Sequence, residues 1–204
     1  MKRILLFGMT LALVAITFTS CSKTPANQCR IHGTTPSQYN DKRIFLVPLY
    51  GPKTAEFVDS IEIKDGKFEF TTDTLMMAQI LVDYHYRMGV QPLLVVTEPG
   101  DVQVIIDTIS YATGTPQNDS LEKWKQATEA HNLLLAQLRR DGKDVASDSM
   151  HLAYKQLTRR MAENSKGTLL GDFLATFYPL TYKRKMPDGS IVTFDADTNE
   201  EISE

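Results

Sequence analysis

The chain has 204 residues, 42% hydrophobic and 23% charged, with 22 basic against 25 acidic residues and a formal net charge of -3. That length fits one domain, or one domain with an appendage, and it can bury a core without disulfides. No basic stripe is present, so no nucleic-acid partner is expected; with Cys21 and Cys29 as the only cysteines and no C-x-x-C pair, dithiol redox chemistry has no residues to run on.

The first element reads as a secretory leader. Lys2 and Arg3 form a positive n-region, and residues 4–18 are an apolar run broken by Gly8, Thr10 and Thr17. At roughly 15 residues that run is too short for a comfortable membrane span. Residues 1–20 are therefore expected to be a signal peptide, and residues 21–28 a short tether without periodicity. Phe18-Thr19-Ser20-Cys21 resembles the lipobox of bacterial lipoproteins, with Phe where Leu is usual. The resemblance implies that Cys21 is acylated, with palmitate among the chains, and becomes the mature N-terminus. It also implies a membrane partner through the lipid anchor. Residues 22–28 lack the acidic run found behind the cysteine of some surface-exported lipoproteins, which favours the periplasmic face; the expected place is the outer membrane, with the domain facing the periplasm.

From Cys29 to about Gly114 the sequence alternates as strands do. Ile44, Leu46, Pro48 and Tyr50 share one face, and Phe57, Asp59, Ile61 and Ile63 share a face of the next run. Asp65-Gly66 supplies a two-residue hairpin turn, after which Phe68, Phe70 and Thr72 alternate with polar residues. Ala78, Ile80, Val82, Tyr84 and Tyr86 form a further alternating set. Residues 93–96 are apolar on both faces, the pattern of a central strand, and Val102, Val104 and Ile106 follow the Glu98-Pro99-Gly100-Asp101 turn. About six to seven strands at this spacing predict an antiparallel sandwich or a partly open barrel, and an antiparallel β-sandwich over residues 29–117 is the expected form.

The period then changes. Leu121, Trp124, Thr128, His131, Leu135 and Leu138 fall at steps of three and four, the seam of an amphipathic helix that Asp119 or Ser120 can cap. Met150, Tyr154, Leu157 and Met161 predict a second helix starting at Ser147 or Asp148, and Leu169, Leu170, Phe173, Leu174 and Phe177 a short third one. The fold class is thus α+β, a sandwich followed by two or three helices over residues 118–178, with a hairpin-like or disordered tail at 179–204.

Several of these stretches together resemble a known family. They are the Gly33 strand, Asp59-Ser60, Asp65-Gly66-Lys67-Phe68-Glu69-Phe70, Glu98-Pro99-Gly100-Asp101 and Thr113-Gly114-Thr115-Pro116-Gln117-Asn118-Asp119, in this order. They resemble the domain of unknown function that precedes a thioredoxin-like domain, of the TlpA or AhpC/TSA type, in Gram-negative lipoproteins. In such proteins the redox chemistry belongs to the thioredoxin-like domain and its W-C-x-x-C segment. No matching segment exists here, so the resemblance implies no catalytic residue for this chain.

The residues themselves offer little chemistry. His32, His85, His131 and His151 form no H-x-H or H-x-x-x-H pair, so no metal site and no cofactor are expected. Asp83 and His85 share a strand face, for which a structural strand is the simpler reading, and His131 on the seam is expected to be partly buried and hydrogen-bonded. Trp124 is expected to pack on the sheet or on a helix. No serine lies in a G-x-S-x-G elbow. With Cys21 acylated, Cys29 is the free thiol: either a reactive site or, as favoured here, a small apolar residue of the first strand. The expected function is a non-catalytic, lipid-anchored envelope binding or interaction module. Its partner could be an envelope protein held by the 118–177 surface, where Leu133 and Leu134 widen the helical seam. The alternative is an accessory to periplasmic thiol-disulfide chemistry through a separate thioredoxin-like protein.

Overall fold

The computed structural model describes residues 26–82 and 92–202. The leader, Cys21, Asp83, Tyr84, His85 and Tyr86 lie outside the described residues. Eight strands come first: β1 (Cys29–Thr34), β2 (Arg43–Pro48), β3 (Asp59–Glu62), β4 (Lys67–Thr72), β5 (Met77–Val82), β6 (Leu93–Val96), β7 (Gly100–Ile105) and β8 (Tyr111–Thr113). Three helices follow, α1 (Pro116–Arg140), α2 (Asp144–Asn164) and α3 (Leu169–Ala175), and then a hairpin of β9 (Thr181–Lys185) and β10 (Ile191–Asp195). The fold class is the expected α+β.

The eight strands form two four-stranded sheets, ordered β4-β1-β7-β8 and β3-β2-β5-β6. Inward side chains of both, among them Ile31, Ile44, Leu46, Phe68, Phe70, Ile80, Val95, Val102 and Val104, fill one core. The alternation that predicted these strands is the alternation of burial, since every second residue meets the facing sheet. All pairings are antiparallel except β1 with β7, which run parallel from Cys29↔Gly100 to Thr34↔Ile105. Gly33 lies at this centre because nothing larger fits: a Cβ there would lie 2.3 Å from the Phe68 ring and 2.8 Å from the Val104 carbonyl oxygen.

Three expectations about the placement of elements need correction. Residues 93–96 are not a central strand but the edge strand β6. Leu93 and Val95 face the sandwich core while Leu94 and Val96 face the helices, so the run is apolar on both sides without strands on both sides. Helix α1 starts at Pro116, before Asp119; proline suits the first helical position, where its missing N–H costs no hydrogen bond. Asp119 instead accepts the Gly114 N–H at 2.8 Å. Helix α2 starts at Asp144, before Ser147, which is buried and donates its N–H to the Lys143 carbonyl.

The helices cover one sheet only. Leu121 and Trp124 of α1 with Leu170, Phe173 and Leu174 of α3 pack on Met77 and Val96, forming a second core on the outer face of the β2–β5–β6 sheet. Thr168 caps α3, its hydroxyl accepting the Gly171 N–H at 3.1 Å. The hairpin is fastened to α2 by Asp197, which takes Lys155 and Arg159 and whose carboxyl they hold down at about 2. Among the described residues no helix is long and apolar enough to cross a membrane.

Candidate functional site

Cys29 opens β1 with its side chain in the core, 1% exposed. Burial pushes its thiol up to about 12, and the carboxylates of Glu98 and Asp101 push in the same direction. The thiolate is the reactive form of cysteine, and at neutral pH almost none exists here. The position behaves as the small apolar strand residue that its neighbours suggested.

The stretches 98–101 and 113–119 meet at a joint between sandwich and helices. The Asn118 amide clasps the edge of β6: its Oδ1 accepts the Val96 N–H at 2.9 Å, and its Nδ2 donates to the Val96 carbonyl and to Thr115 Oγ1, both at 2.8 Å. Glu98 accepts the Gln117 N–H at 2.6 Å and Gln117 Nε2 at 3.0 Å. Gln117 Oε1 in turn accepts the Leu170 N–H at 3.1 Å, which ties in α3. These residues hold backbone groups of the protein itself. Both stretches therefore have a structural role at the joint.

Trp124 packs as expected, edge-on to Phe173, with Nε1 donating to Thr158 Oγ1 at 3.3 Å. His131 differs from expectation. It is buried, but its Nδ1 has no hydrogen-bond partner among the described residues. The imidazole stacks on Tyr154 at 4.3 Å and lies 5.7 Å from His151, because the α1–α2 turn brings together histidines that the sequence separates. Burial, His151 and Arg139 all lower its proton affinity.

The remaining feature is a groove of about 860 Å³ along the outer face of the β4-β1-β7-β8 sheet, flanked by residues of and just after β3. Arg30 and His32 reach into it from β1, Asp101 and Gln103 from β7, Glu69 from β4 and Ile61 from β3. Arg30 donates to Glu69 at 2.9 Å and holds the carboxyl of Glu69 below the usual range. His32 lies in register between Glu69 and Gln103, and its Nδ1 is buried without a hydrogen-bond partner among the described residues. At the far end, across the Asp65-Gly66 turn, Lys64 faces Lys67, joined by backbone bonds of 3.0 and 2.8 Å. A smaller, more polar cleft of about 460 Å³ lies near Gln28, Phe57 and Asp73.

Residues 29–121 match the family described as Domain of unknown function (DUF4369). The match covers the sandwich and the first turns of α1, the same stretch that the ordered motifs marked out. No curated protein and no solved structure matches the chain. The structure thus leaves the groove and the buried Cys29 as the residues to be weighed for function. Sequence reasoning singled out Cys29 but missed the groove, whose lining comes from four strands. The Asp65-Gly66 turn was the one available signal, since it sets Lys64 opposite Lys67.

Proposed function

We propose that this chain is a non-catalytic binding module of the Gram-negative cell envelope, held at the membrane by acyl chains on Cys21. The carrying observation is the open groove of about 860 Å³ on the sheet that the helices leave uncovered. Its size falls in the range of ligand pockets, and charged side chains line it beside the apolar Ile61 and Ile105. Acylation at Cys21 would bring the protein to an envelope membrane, and more than one chain is needed to keep it there. The alternative, an accessory role in thiol-disulfide chemistry, draws no support from Cys29, whose burial suppresses the thiolate.

Two measurements test the proposal. Mass spectrometry of the mature protein should find an acylated N-terminal Cys21, and Cys21→Ser should move the protein from the membrane to the soluble fraction. A mature N-terminus elsewhere removes the anchor. Native mass spectrometry of protein extracted from its own envelope should show an added mass that Ile105→Glu, in the groove, eliminates. A preparation that carries no added mass, and gains none from envelope extract, removes the binding module.

A further inference from the structure

The geometry points to one ligand class for the groove: an anionic amphiphile, with a carboxylate or phosphate head on a single apolar chain. This rests on the reading of the groove as a binding site and goes on to say what fills it.

The charges decide the head. Of the carboxylates on the groove walls, Glu69 takes a hydrogen bond from Arg30 and Asp101 lies in register with the same arginine, while Glu62 lies in register with Arg43, whose guanidinium donates to Ser60. Lys64 and Lys67 stand directly opposite each other across a two-residue turn, and among the described residues they make no salt bridge. Like charges opposed across an antiparallel pair are destabilising, and an anion between them would relieve the repulsion. The rest of the lining decides the tail. Ile61 and Ile105 are half-buried beside the cationic end, so an apolar chain leaving the lysines gains contact and loses water. A small inorganic anion would use only the lysines. A cationic amphiphile would meet the opposed lysines as like charges.

The test uses the full-length chain carrying Cys21→Ser, so that no attached acyl group competes. Titration calorimetry below micelle concentrations compares dodecanoate, dodecyl phosphate, dodecyltrimethylammonium, dodecyl maltoside and inorganic phosphate. Dodecanoate, dodecyl phosphate or both should bind, the stronger of the two distinguishing a fatty-acid from a phosphate-headed source, while the cation and inorganic phosphate should not. Lys64→Ala with Lys67→Ala should weaken binding at least tenfold without lowering the melting temperature, because removing two opposed cations does not harm the fold. Failure of both anionic probes to bind, or unchanged affinity in the double variant, overturns the inference. Equal binding of the maltoside or the cation, lost in Ile105→Glu, overturns the ligand class and leaves the groove itself standing as a site.

Discussion

The two ends of α1 differ in what holds them. At the N-terminal end Asn118 is fully buried and clasps both backbone groups of Val96, while Leu121 and Trp124 sit in a core shared with β5, β6 and α3. Towards Arg140 the helix has α2 beside it, and Leu133 stands 67% exposed. Thr128, whose hydroxyl meets that of Tyr154 at 2.6 Å, and His131, stacked on the same ring, mark the passage from one regime to the other. One helix is therefore both part of the domain and an arm projecting from it. Helix stability comes mainly from tertiary packing, so the two ends should respond very differently to substitution.

The largest effect is expected at the clasp. Asn118→Ala removes both bonds to Val96 and leaves a buried N–H and C=O on β6 without partners. Each unsatisfied buried group costs about 1–3 kcal/mol, so denaturant unfolding should show a loss of roughly 2–4 kcal/mol. Asn118→Asp should recover only part of this, because a carboxylate accepts from the Val96 N–H but cannot donate to its carbonyl. If Asn118→Ala costs less than about 1 kcal/mol, water enters the joint and the clasp is not what holds α1.

Much of this division was legible in the sequence, and its limits have physical causes. Alternation revealed the strands whose one face is buried, and the step of three and four revealed the α1 seam, because each period maps onto burial. Period alone could not separate Leu93–Val96 from a central strand, since helices covering an edge strand give the same apolar run. The three residues of β8 are too few to show a period, and the parallel pairing of β1 with β7 joins segments whose register no local turn sets. The Asn118 clasp is a side chain bonded to backbone, which leaves no pattern at all. The ordered stretches around Glu98 and Asn118 were visible as a resemblance, but their role as a joint needed the structure.

An intermediate effect is expected where the regimes meet. The proton affinity of His131 is lowered in the folded state by burial first, then by His151 and Arg139. The unfolded chain therefore binds a proton more readily, and stability falls as pH drops through the ordinary histidine range near 6.5. The groups facing His131 are His151 and Tyr154 from α2, with Arg139 on its own helix. His131→Phe keeps a ring against Tyr154 and removes the titration. Melting temperatures measured from pH 8 to pH 5 should then decline less steeply in the variant than in the wild type. Parallel slopes would mean that another group carries the acid sensitivity.

The smallest effect is expected at the projecting end, and it separates an arm from a covered surface. Leu133 is 67% exposed, Val145 is 82% exposed and Leu152 is 53% exposed, so none of them lends the isolated domain much buried area. Leu133→Glu should change stability by no more than about 0.5 kcal/mol, as surface substitutions away from packed features do. The neighbouring Leu138 is partly buried in the α1 seam, and Leu138→Glu should cost more, which fixes the scale of the comparison. The pair also tests self-association. A specific interface buries about 1,200 Å² or more of total surface and should raise the apparent mass with concentration. If sedimentation shows a concentration-dependent dimer that Leu133→Glu abolishes while leaving the melting temperature unchanged, the arm is an interface between copies. If the protein sediments as a monomer and the variant matches it in mass and stability, the exposed leucines do not mediate self-association, and the difference between the two ends of α1 is one of packing alone.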